Sequence, residues 1–110
     1  MPDWDPSRLS AGTLTAWYKA DSLSLGDGSG VASWTDSSGN GHDVAQSASA
    51  RQPTFETNEL NSKPVLRFDG SNDILTNGDI AALDVGTGDI WMAAVFKSTD
   101  NSAAQNYFEK

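Results

Sequence analysis

The sequence contains no cysteine, which excludes a disulfide framework, a thiolate nucleophile and a Cys-ligated zinc site. Positive charge is scarce. Seven Lys and Arg stand against fifteen Asp and Glu, giving a formal net charge of −8 and a sequence pI near 4.2. No Lys/Arg cluster offsets that balance, so electrostatic binding to a nucleic-acid backbone or docking on an anionic bilayer is excluded as a leading function. Long hydrophobic runs are missing too: the longest nearly apolar stretch, residues 90–96, falls far short of the roughly 20 residues of a membrane helix. The opening Met-Pro-Asp-Trp-Asp-Pro is acidic and lacks an apolar h-region, so no Sec signal peptide is expected. Large aliphatic side chains also run low. Leu, Ile, Val and Phe together supply 20 of 110 residues, under the ~20% level that, with high net charge, hints at disorder. Thirteen alanines and four tryptophans make up part of the difference, because Trp buries a large area per residue. A folded chain is expected, with a thin core that needs help from a partner chain or from further sequence.

What the sequence does have is turn chemistry. Asp27-Gly28, Asn40-Gly41, Asp69-Gly70 and Asn77-Gly78 all accept positive φ at low cost and are strong hairpin signals. Between them lie short runs with a period near two. In residues 14–20, Leu14, Ala16 and Tyr18 share one face while Thr15, Trp17 and Lys19 share the other. Residues 31–35, 64–69 and 74–76 read as further strands. Residues 90–96 are apolar on both faces, which suits a central strand covered on two sides. Tyr107 and Phe108 look like the start of another. Helical material is scarce: Asp5-Pro6 reads as an N-cap followed by Pro at the first helical position, and residues 79–85 as another short turn. Strand spacing and turn density predict an all-β, antiparallel sandwich or barrel. Residues 1–12 form a lead-in segment and residues 13–110 a single β domain.

The most polar constellation is Asp36-Ser-Ser-Gly-Asn-Gly-His-Asp43. Asp36, Ser38, Asn40 and Gly41 fit the first six positions of an EF-type calcium loop. The twelfth position would be Ser47 rather than a bidentate Glu, and no flanking helices are expected, so an EF-hand is rejected. Two readings stay open: a tight turn built from side-chain-to-backbone hydrogen bonds, or a Ca2+ site. Asp69-Gly-Ser-Asn-Asp73 invites the same pair of readings, although Ile74 sits where Gly would be needed.

Catalytic patterns are weak. Glu56 and Glu59 are the only close pair of glutamates, and glycoside hydrolysis needs two opposed carboxylates. They follow Pro53 in a polar, loop-like stretch with no apolar wall to raise a pKa, and read as a solvated pair. His42, the sole histidine, lies in an Asn-Gly turn with no Gly-x-Ser-x-Gly elbow in the chain. It reads as a turn residue. Gly26-x-Gly28-x-Gly30 lacks the spacing and following helix of a phosphate loop. Trp17, Trp34 and Trp91 could stack on sugar rings or fill a core. Trp34 and Trp91 read as core, and Trp17, sharing a face with Thr15 and Lys19, as the candidate for an exposed ligand-binding surface.

Several stretches together resemble the laminin-G-like, bacterial and phage branch of the concanavalin A-like lectin/glucanase superfamily. They are Leu14-Thr-Ala-Trp-Tyr-Lys-Ala-Asp-Ser22, Val31-Ala-Ser-Trp-Thr-Asp-Ser-Ser-Gly-Asn-Gly-His42, Arg51-Gln-Pro-Thr54, Lys63-Pro-Val-Leu-Arg-Phe-Asp-Gly-Ser-Asn-Asp73 and Ala94-Val-Phe-Lys97. The match spans residues 10–108 and corresponds to about the first half of such a domain. The resemblance implies a jelly-roll sandwich of two curved antiparallel sheets, incomplete within this chain. It implies no catalytic residues, because the Glu-x-Asp-x-x-Glu strand of the family's glucanases is missing here. Calcium in related modules sits in loops at the sandwich edge, and Asp36, Asn40 and Asp43 are the nearest positional match. Two functions follow as expectations. One is a structural component of an assembled particle (phage tail, fibre or capsid-decorating protein), oligomeric through particle subunits and displayed on the virion surface. The other is a carbohydrate-binding, adhesive lectin module that holds a glycan outside the cell. The Met start without a signal peptide favours the first.

Overall fold

A computed structural model describes residues 14–99. The expected lead-in over residues 1–12, the turn after Asp5-Pro6 and the strand at Tyr107 and Phe108 lie outside them. The chain falls into two compact units, Met1–Gly78 and Asp79–Lys110.

The strands of the first unit form two small antiparallel sheets, accompanied by two single 3-10 turns, Ala20–Ser22 and Ser49–Arg51. β1 (Ser29–Gly30), β4 (Thr54–Leu60) and β5 (Lys63–Arg67) form a three-stranded sheet in the order β1-β4-β5, and β2 (Ser33–Trp34) pairs with β3 (Val44–Ala45). Phe55 sits opposite Ser29 on one side and Leu66 on the other. The β4–β5 turn is Asn61-Ser62, with φ of 50° and 61°. Both central residues are left-handed, the signature of a type I′ hairpin whose twist matches its strands. Residues 14–19 and 74–76 lie outside the strands and touch the sheets through isolated bridges between Tyr18 and Asp36 and between Thr76 and Ala45. All four Asx-Gly dipeptides bend as expected; Gly28, for example, has φ of 77°, and its N–H donates to the Phe55 carbonyl to start β1.

The core is as thin as the composition suggests. Val31 and Phe55 are the buried apolar side chains among the described residues, beside a fully buried Pro53. Val31 N–H donates to the Pro53 carbonyl at 2.8 Å, fixing the two segments against each other. Trp34 is half-buried; its indole N–H donates to the Lys19 carbonyl at 2.8 Å, and its ring meets Tyr18 with centroids 5.5 Å apart.

Two expectations are corrected. The stretch after Pro53 is β4 rather than a loop. Asn58 (φ 58°) marks a bulge between Glu56 and Leu60 that shifts the alternation, so a period-two reading fails there. In the second unit, residues 90–96 form no strand, and Trp91 is no core residue: Trp91, Met92 and Val95 are 71%, 66% and 91% exposed. A strand apolar on both faces needs cover from two layers. The regular element described in this unit is one 3-10 turn, Ala81–Leu83, too short to supply either. No helix among the described residues is long and apolar enough to cross a membrane.

Candidate functional site

The loop over residues 36–43 organises the polar part of the first unit. Asp36 is 5% exposed, and a buried carboxylate is costly unless its oxygens are hydrogen-bonded. Here they are. Oδ1 accepts from the Trp17 N–H and the Ser38 N–H, each at 2.8 Å. Oδ2 accepts from the Ser38 hydroxyl at 2.7 Å and the His42 N–H at 3.1 Å. Asp43 reciprocates: its Oδ1 accepts the Asp36 N–H at 2.8 Å. The loop is thereby closed on itself, and through Trp17 it clasps the extended segment before it. Ser37 N–H donates to the Trp17 carbonyl, completing a two-sided attachment.

Asn40 and His42 extend the clasp. The Asn40 amide donates to the carbonyls of Leu14 and Thr15, at 2.9 and 3.0 Å. Because a carbonyl only accepts, the inward atom of Asn40 is its nitrogen. By the same reasoning His42 Nδ1, 2.9 Å from the Thr15 carbonyl, carries a proton. The Tyr18 hydroxyl donates to the His42 carbonyl, and the Asn77 amide to that of Asp43.

This donor set does not fit a calcium ion. Calcium needs six to eight oxygens turned inward; in this geometry the Asp36 oxygens face N–H and O–H groups and Asn40 presents nitrogen. The Asp69 loop repeats the construction. Asp69 Oδ1 accepts from the N–H groups of Ser71, Asn72 and Asp73, and Asp73 Oδ2 accepts the Asp69 N–H. Among the described residues no group of three or more His, Cys, Asp or Glu is placed to hold a metal.

Burial pushes the Asp36 pKa up, but the hydrogen bonds from Ser38, Trp17 and His42 outweigh it and hold the carboxyl below its ordinary value. Tyr18 is shifted up by burial and by the Asp36 and Asp43 charges. A depressed carboxylate pKa stabilises the fold above its unfolded value of roughly 4 and loses that contribution as pH falls through the folded value. A raised phenol pKa stabilises below roughly 10 and is lost as pH rises past it. These two contributions are therefore expected to be constant between those limits and to fall beyond each, checked by urea midpoints across pH. Asp27 and Asp69, also held low by hydrogen bonds, add to the acid limb. An Asp36→Asn chain whose acid limb matches the parent's would refute the assignment of a share of that limb to Asp36.

Trp17 is half-buried, its backbone committed to Asp36 and one ring face approached by the Lys19 ammonium, 4.6 Å from the centroid. Glu56 and Glu59 lie on β4 and share Arg67 of β5, at 4.0 and 3.2 Å, an exposed arrangement of the kind worth at most about 1 kcal/mol. Sequence reasoning missed Asp27, whose Oδ1 accepts both the N–H and the hydroxyl of Thr57, thirty residues on. The Asp-Gly dipeptide marked the bend but carried no signal for that partner. Comparison of the chain with protein-family models, with curated proteins and with solved structures returned no match.

Proposed function

We propose that this chain is a non-catalytic, laminin-G-like β-sandwich module of the jelly-roll kind, serving as a structural subunit of an assembled particle exposed at a virion or extracellular surface. The observation that carries this reading is the pairing of a minimal interior, Val31 and Phe55, with large apolar side chains left exposed at residues 90–96. Exposed apolar runs of that kind mark association surfaces. A non-catalytic role is supported by the tie of Glu56 and Glu59 to one guanidinium and by the use of His42 as a backbone anchor. The Asp36 and Asp69 loops act as fasteners.

A second reading, a glycan-binding lectin module, has one observation in its favour. Trp17 is only half-buried, with the Lys19 ammonium over its ring, and an indole ring can stack on a sugar. Sizing of the full chain together with a glycan array, with and without EDTA, separates the two. The assembly reading expects a defined oligomer and no glycan signal; a monomer that binds glycans overturns it. Trp17→Ala is expected to cost on the order of 2 kcal/mol, less than the 3–5 kcal/mol of a fully buried aromatic, as a lowered denaturation midpoint. If the substitution instead abolished glycan binding on an unchanged melting curve, the lectin reading would hold.

A further inference from the structure

We infer that residues 90–96 are a self-pairing strand, in which two copies of this chain associate antiparallel about Ala93. The inference rests on the assembly reading above and names its partner and register. The run Ile-Trp-Met-Ala-Ala-Val-Phe contains no Gly, Pro or charge, and Ile90, Trp91, Met92, Val95 and Phe96 are all exposed. Among the described residues, none of residues 89–95 takes part in a backbone hydrogen bond. An apolar segment whose backbone groups are unladdered over residues 89–95 is a template for strand addition.

Charge selects the occupant. Asp89 precedes the run and Lys97 follows it, at equal distances from Ala93, and both are exposed. In an antiparallel pair centred on Ala93, Asp89 of each copy meets Lys97 of the other. Trp91 then faces Val95, an aromatic against a β-branched side chain, which is a favoured cross-strand pair. Met92 faces Ala94, and Ile90 faces Phe96. A parallel in-register pair would set Asp89 on Asp89 and Lys97 on Lys97. An antiparallel pair slipped by two residues would set Asp89 against Val95 or Lys97 against Trp91. The two-fold register alone satisfies both charges, and it is isologous, each copy using the same edge. At −8 per chain, undirected association is opposed, so the flanking pairs carry the specificity.

The test is sedimentation equilibrium of the full chain. One strand pair falls below the ~1,200 Å² of a standard interface, so a dimer with Kd in the range of about 1–100 µM is expected. Lys97→Asp should weaken it about tenfold or more, since two attractive cross-strand pairs become repulsive. Adding Asp89→Lys should restore it. Both positions are exposed, so neither substitution endangers the fold. In a chain without cysteine, Ala93→Cys should cross-link into dimers on mild oxidation, because the two copies meet there. Val95→Cys should not, its twin lying several residues away along the strand. A chain monomeric at all concentrations overturns both this inference and the assembly reading. An oligomer indifferent to the charge reversal, or cross-linking equally at both positions, overturns the register and leaves assembly standing.

Discussion

Asp36→Ala is expected to destabilise the first unit by about 3–5 kcal/mol, the range for removing one member of a buried charged network. The substitution strands four donors, the N–H groups of Trp17, Ser38 and His42 and the Ser38 hydroxyl. Each buried donor left unsatisfied costs about 1–3 kcal/mol. The full sum is not reached, because the loop opens and water enters. Against a total stability of roughly 5–15 kcal/mol for ordinary domains, the loss is severe. Asp36→Asn should cost about half as much. Its remaining oxygen serves Trp17 and Ser38, and the Ser38 hydroxyl can turn to accept from the new amide, leaving the His42 N–H as the main orphan. Chemical denaturation of both variants measures the difference. A midpoint for Asp36→Ala within about 0.5 kcal/mol of the parent, the scatter of ordinary surface substitutions, would show that the carboxylate is not the acceptor described.

Phe55→Ala should cost a further-reaching 3–5 kcal/mol by a different route. Phe55 is 3% exposed, and its neighbours Val31 and Pro53 are pinned by a backbone hydrogen bond, so they cannot collapse into the hole. Leu66, its half-buried partner across the hairpin, is the internal comparison. Leu66→Ala should cost less, below the 2–5 kcal/mol of fully buried leucines. Thermal melting ranks the two. Equal losses would mean that the interior is not centred on Phe55.

Much of the all-β character was legible. The Asx-Gly dipeptides signalled bends because Gly alone enters the left-handed region without penalty, and β5 was recognisable from the alternation of Leu66 and Phe68 against Val65 and Arg67. The β4–β5 hairpin was not, because Asn61-Ser62 reaches the same backbone conformation without glycine. β4 itself was hidden by its two glutamates, which are tolerated because they face Arg67. In the 36–43 loop the residues that matter were visible as a cluster, but their role was not. A local motif shows oxygens; it cannot show that the Trp17 N–H, nineteen positions earlier, comes to fill one. Residues 90–96 fail for the opposite reason. Two-sided apolarity reports that a segment wants cover, and among the described residues that cover is not supplied.

The closure of the Asp36 loop also implies an order of assembly. Its bonds to Ser38, His42 and Asp43 span two to seven residues, whereas Trp17 arrives from nineteen away. Ring-closure entropy favours the shorter spans by roughly 1 kcal/mol. The loop can thus shape itself first and then present a ready socket to the passing chain. The two parts stabilise each other through those shared bonds, the loop's own short-range bonds remaining when residues 14–18 loosen.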